Sequence, residues 1–263
     1  SRRSGDFSDA AKFLQKANEL GWDSNSIHRE KVLTTVQLGG VERAEADLNR
    51  IFASELLPTD TEEVYEAIAY GHLAAFNGPE FLKCIDFWIE WRPQAIKPKM
   101  MKAEFLTQLG NHTHAVEQYK SILSHAPDYV PARQGLGEGL LTLNFAAEAE
   151  PELRASFNAT KSARSALSLS KCLVQIGNPK EAQLLLTPFE ETADKQVRSE
   201  ILEELGRWHL DRSEPEQAIK FLQKCVKLSP ELSSAWHALS GAYGLNGETE
   251  KAAAALKISQ DTK

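Results

Sequence analysis

The sequence predicts an all-α fold, a right-handed superhelix (solenoid) of helix–turn–helix repeats. Three observations carry that prediction. A marker residue, usually a small one, recurs at a spacing close to 34 along nearly the whole 263-residue chain. The segments before it place apolar residues at i, i+3, i+4 and i+7, the period of an amphipathic helix. The breaks are as regular as the helices: Asn77-Gly78-Pro79-Glu80, Gly177-Asn178-Pro179-Lys180 and Ser213-Glu214-Pro215-Glu216 all stand between paired helices.

Each element follows from the marker that opens its second helix. The markers are Ala10, Ala44, Phe81, Ala115, a point between Ala149 and Leu153, Ala182, Ala218 and Ala252. Ala10 to Ala44, Phe81 to Ala115 and Ala218 to Ala252 are each 34 apart, and Ala182 to Ala218 is 36. A closing proline follows twelve residues on at Pro93, Pro127 and Pro230. This phase gives a half repeat over 5–20, then repeats over about 25–56, 62–93, 96–127, 130–160, 163–194, 199–230 and 233–260. The small residue lets the second helix come close, and the residue four positions later lies on the same face. One hairpin cannot bury its own apolar face, so neighbours stack around a shared core.

Two places depart from the pattern. Near the fourth repeat, two registers compete. Pro151 opens the second helix if it acts as Pro79, Pro179 and Pro215 do, because proline is tolerated in a first helical turn. That register, which the repeated prolines favour, makes Asn144–Glu150 a long turn and Glu148, Glu150 and Glu152 a solvated acidic run. If Ala149 is the marker instead, the 34-residue spacing survives and Pro151 falls inside a helix, where it should kink it. At the front, Gly5 to Ala17 reads as a second helix with no first. That suggests a piece of a longer chain, preceded by more repeats, an anchor or a signal sequence.

The best-formed units are Leu202-x2-Leu205-Gly206-x2-His209 with Ala218-x3-Leu222, and Trp236-x2-Leu239-Ser240-x2-Tyr243 with Ala252-x3-Leu256. They resemble the tetratricopeptide repeat, whose signature is W-x2-L-G-x2-Y…A-x3-F…P. By that resemblance first helices line a concave face on which ligands lie as extended or helical segments. The outward residues of those helices are then Arg29, Glu63, Glu66, Tyr70, Met100, Glu104, Gln134, Glu138, Lys171, Glu203, Arg207 and His237. Members that bind chaperone tails carry a lysine–asparagine carboxylate clamp. The matching positions here are Met100, Glu104, Gln134 and Glu138, so the clamp is absent.

Other motifs carry no chemistry. Gly135-Leu136-Gly137-Glu138-Gly139 follows no strand, as a dinucleotide loop must. Gly137 falls on the repeat's packing glycine, and the two extra glycines should weaken that helix by roughly 1 kcal/mol each. Cys84, Cys172 and Cys225 lie far apart with no CxxC pair and read as small buried hydrophobes. His112 and His114 read as a solvated turn, and His209 replaces the signature tyrosine as a packing residue. Phe81, Ile85 and Trp88 share a core face, while Phe87 and Trp91 form a possible aromatic patch on another face.

The net charge of −7 disfavours a nucleic-acid partner, which needs a basic stripe. No apolar run approaches the ~20 residues of a membrane span, so no membrane contact is expected from this segment. The sequence thus predicts a non-catalytic scaffold or adaptor with no cofactor, holding a protein or peptide in its concave groove. Charge reversal at Glu66, Glu104 or Glu138 should disrupt it. The alternatives are a docking region of a larger enzyme, or a membrane-anchored assembly factor. Self-association through the ends of the stack is a further possibility, and the compartment stays open between cytoplasm and periplasm.

Overall fold

A computed structural model describes residues 6–54, 57–191 and 193–262. Among them are fifteen α-helices and no strands. They gather into two compact units, Ser1–Leu109 and Gly110–Lys263.

The first unit holds α1 (Phe7–Glu19), α2 (Ser24–Gln37), α3 (Glu45–Ala53), α4 (Pro58–Ala74), α5 (Gly78–Trp91) and α6 (Ile96–Gln108). Asp6, Asp23 and Asn77 accept from the backbone N–H three residues on, which fixes where α1, α2 and α5 begin. The regular hairpin here is α4–α5, around buried Phe81, Cys84, Ile85 and Trp88. The hairpin before it is distorted. A 3-10 turn (Glu42–Ala44) precedes the nine-residue α3, and α4 packs straight onto α2. Gly71 allows this approach, since a Cβ there would stand 2.2 Å from the Val36 carbonyl oxygen.

The second unit holds α7 (His112–Leu123), α8 (Val130–Thr142), α9 (Ala146–Thr160), α10 (Ala163–Gln175), α11 (Pro179–Leu186), α12 (Lys195–Asp211), α13 (Pro215–Leu228), α14 (Ser233–Leu245) and α15 (Thr249–Asp261). Here α8–α9, α10–α11, α12–α13 and α14–α15 are antiparallel hairpins stacked in chain order. The turn that closes each hairpin passes through a left-handed residue: Asn144, Gly177, Ser213 and Gly247. Gly39, Phe76 and Gly110 have the same positive φ in the first half of the chain. A second register mark is a serine at the start of three first helices. Ser165 Oγ meets Thr160 Oγ at 2.7 Å, Ser199 Oγ meets Ser229 Oγ at 2.7 Å, and Ser233 Oγ donates to the Ser259 carbonyl at 2.7 Å. The cysteines are buried and free. Their thiols point at backbone carbonyls, and burial pushes those of Cys84 and Cys225 up to about 12.

The structure corrects three expectations. The register in which Pro151 opens a helix is wrong: α9 runs from Ala146 through Pro151, and Ala149 is the buried marker. Burying Ala149 and Leu153 against Gly137 outweighs the N–H that proline lacks. Asn144–Glu150 is accordingly no long turn. Glu150 and Glu152 are helical and paired, with Arg154 and with Arg133 at 2.8 Å. His112 and His114 likewise form the first turn of α7, capped by Asn111, rather than a solvated turn. The two extra glycines of α8 are there for space. A Cβ at Gly135 would lie 2.3 Å from the Tyr119 ring, and one at Gly139 would lie 2.8 Å from Val116.

Candidate functional site

In the second unit α8 touches α10, α10 touches α12 and α12 touches α14 directly, whereas successive second helices do not approach as closely. The tighter layer of a curved stack is its inner one. By that reasoning the face formed by the first helices is taken as the inner one, and the side chains displayed there are the candidate site.

Along that face the structure places the residues named from the sequence as follows. Gln134 and Glu138, one turn apart on α8, are locked into a relay with α9 of the same repeat and α10 of the next. Ser156 donates to Gln134 Oε1 at 2.7 Å, Gln134 donates to Ser168 at 2.8 Å, and Ser168 donates to Glu138 at 2.6 Å. Lys171 on α10 reaches Glu200 on α12 at 3.4 Å, and Arg164 shares that carboxylate at 3.2 Å. Glu203 and Arg207 pair on α12 at 2.8 Å. His237 on α14 is exposed. Gln134, Glu138 and Lys171 thus tie neighbouring repeats together, so reversing Glu138 would break a structural relay as well as any partner contact.

Between α10, α12 and α14 opens a cleft of about 910 Å³. Val174, Gly177 and Pro179 form one wall. Glu203, Glu204, Arg207, Trp208, Asp211 and Arg212 form the other, with Ser234 at the edge. The sequence reading missed Glu204, Trp208 and Asp211. The signal was present, because 204, 208 and 211 fall on one stripe of a 3.6-residue helix. It was obscured because the repeat signature marks core positions, and the stripe beside them was read only at 203 and 207. Trp208 is faced by the Arg212 guanidinium 4.8 Å from its ring centre, and Arg212 also bonds Glu214 at 2.9 Å.

Glu204 is the odd group in this cleft. It is half-buried and has no hydrogen-bond or ion-pair partner among the described residues. Burial pushes its carboxyl above the ordinary glutamate value, Glu203 and Glu200 push the same way, and Lys171 and Arg207 pull against them. For an acid raised in this way the fold favours the protonated form. That stability is present below the unfolded value, about 4.3, and is lost as pH rises through the higher folded one. Glu204→Gln is therefore expected to raise the thermal midpoint at neutral pH, with the gain shrinking as pH falls. Parallel midpoints of both proteins across that pH range would show that the carboxylate carries no such strain.

In the first unit the predicted residues are less gathered. Arg29 on α2 pairs with Asp60 at 2.8 Å, and Glu66 on α4 with Lys97 at 2.6 Å. Glu63 is half-buried, while Tyr70 and Glu104 are exposed. Met100 is buried at 9% exposure and belongs to the packing of α6 rather than to a surface. Phe87 and Trp91 are 62% and 40% exposed beside the buried Phe81, Ile85 and Trp88. Trp91 leans on Tyr65 at 5.8 Å, and Phe87 borders a cavity of about 350 Å³ lined also by Phe52, Tyr65, His72 and Cys84. Burial pushes the Tyr65 hydroxyl up and the His72 imidazole down, the latter opposed by Glu80 and Glu42. Among the described residues no group of three or more His, Cys, Asp or Glu side chains is placed to hold a metal ion. None of their helices is long and apolar enough to cross a membrane.

Stacked antiparallel hairpins with an inner layer of first helices define the class of α-helical repeat proteins. Within that class residues 199–232, which take in most of α12 and all of α13, match the sequence model of the tetratricopeptide repeat, and the stacked hairpins share the fold of solved tetratricopeptide-repeat structures. No curated protein matches it in sequence. The crystal structure of MamA superposes over 64% of this chain and 91% of its own, at 18% identity and a TM-score of 0.51. That of YrrB, described as a TPR protein with an unusual peptide-binding site, covers 68% of this chain and 92% of its own at 18% identity and a TM-score of 0.52. A chain of the APC/C hetero-tetramer Cut9–Hcn1 matches 98% of this chain with a TM-score of 0.66 at 14% identity, and this chain spans half of it. At these identities the likeness is one of fold.

Proposed function

We propose that this chain is a non-catalytic interaction scaffold that holds an extended peptide or protein segment on the inner face of its second unit, between α10, α12 and α14. The observation that carries the reading is the cleft itself. It is open, larger than a single side chain, apolar at Val174, Pro179 and Trp208, and polar at its margins. Such a mixture suits a chain whose side chains alternate in character. A likeness of fold to YrrB, a peptide-binding protein, and to a chain of the Cut9–Hcn1 assembly supports the same reading.

The test is selection of blocked random dodecapeptides on the immobilised chain, followed by measured affinities against a cleft-filling variant, Val174→Trp. Val174 is 41% exposed, so a larger side chain there fills the cleft without entering the core. Selected peptides are expected to lose at least about tenfold in affinity, since an occluded groove forfeits most apolar contact, while the thermal midpoint stays put. Failure to recover any peptide, or peptides indifferent to Val174→Trp, would overturn the proposal.

A further inference from the structure

We infer that the segment held in this cleft presents a basic side chain, lysine or arginine, to Glu204, with its aliphatic stem against Val174 and Trp208. The inference rests on the reading just proposed and adds the chemistry of the occupant.

The argument is one of unmatched charge. Most of the cations near the cleft are already engaged: Arg207 by Glu203 at 2.8 Å, Arg212 by Glu214 at 2.9 Å, and Lys171 by Glu200 at 3.4 Å. Two carboxylates remain without a partner among the described residues, Glu204 and Asp211, against one such cation, the exposed Lys180. Glu204 and Asp211 lie seven residues, about two turns, apart on one stripe of α12. The lining as a whole holds three cations and three carboxylates, but along α12 Glu204 and Asp211 form a strip of acids to which no cation is bonded among the described residues. The half-buried Glu204 is its strongest point, because a partly desolvated carboxylate gains more from a charge-assisted hydrogen bond than an exposed one does.

The shape agrees with the charge. A basic side chain has an apolar stem and a charged head, and the cleft offers apolar Val174 and Trp208 beside the carboxylate. An acidic occupant on the α12 wall would set its carboxylate beside Glu204 and Asp211, neither of which has a cation bonded to it among the described residues. A purely apolar one would bury Glu204 still further without pairing it.

The experiment uses the peptides recovered by the selection above and the full chain. Each basic residue of a peptide is replaced singly by norleucine, and affinities are measured against wild type, Glu204→Gln and Glu204→Lys. One basic position per peptide is expected to cost about tenfold against wild type, the worth of a hydrogen bond to a charged group, and close to nothing against Glu204→Gln. Glu204→Lys is expected to prefer the peptide in which that position is glutamate. Peptides sensitive to Val174→Trp whose basic residues show no coupling to Glu204 would overturn this inference and leave the cleft as the site. Peptides indifferent to both changes would overturn both. Glu204→Gln is expected to fold at least as stably as wild type, so weaker binding by it is not a loss of structure.

Discussion

Replacing Gly71 with alanine is expected to unfold the first unit at temperatures where the wild type is intact. Gly71 lies in α4 where that helix crosses the end of α2. An added Cβ would sit 2.2 Å from the Val36 carbonyl oxygen and 2.7 Å from Val41 Cγ2. The nearer obstacle is backbone, which cannot swing away as a side-chain tip can. Relief requires α4 to withdraw from a core that includes Val32, Leu33, Val36, Val64 and Ala67. The cost is expected at about 3 kcal/mol, the upper end for overpacked interiors, or a drop in midpoint on the order of 12–20 °C for a unit of this size. Gly241→Ala and Gly244→Ala supply the contrast. Nothing stands within 4 Å of a Cβ at either position, so helix propensity alone acts and each is expected to stabilise by up to about 1 kcal/mol. Thermal and urea unfolding of the three variants checks all of this. A Gly71→Ala protein as stable as wild type would mean that α2 and α4 do not pack as described.

The second large effect is at Trp88. It is 1% exposed, stacks against Tyr65 at 6.0 Å with rings 13° from parallel, and anchors the core of the α4–α5 hairpin with Phe81 and Ile85. Trp88→Ala is expected to cost about 3–5 kcal/mol, the usual price of emptying an aromatic site. Trp88→Phe should cost far less, because the indole Nε1 is buried without a hydrogen-bond partner and its loss leaves nothing unsatisfied. Denaturant midpoints of the two variants separate packing from hydrogen bonding. If phenylalanine proves as damaging as alanine, the indole N–H carries a bond that the structure does not contain.

The residues that were legible in the sequence and those that were not differ in kind. Ala10, Ala115, Ala182 and Ala218 stand buried where the repeat phase put them, and Pro79, Pro179 and Pro215 each lie in the first turn of a second helix. His209 is packed, stacked on Phe221 at 5.3 Å. Pro151 misled because the other prolines open helices, and a local rule gave no weight to Leu153 seated on Gly137. For the glycines of α8 the sequence could count a propensity loss but not the space that Tyr119 and Val116 occupy beside them.

Sequence alone determined that the chain is helical, that its helices pair at a spacing near 34, and which side of each helix is apolar. Periodicity, capping and turn chemistry are local, and a stack of near-identical units repeats them until they stand out. Tertiary structure decided which polar side chains meet across neighbouring hairpins. Glu203 and Glu204 are adjacent and chemically alike, yet one has a cation at 2.8 Å and the other has none among the described residues. Glu203 finds its cation within its own helix, since Arg207 stands four residues on, whereas Glu200 takes Arg164 and Lys171 from α10, some thirty residues away in the chain, and no local pattern encodes that pairing.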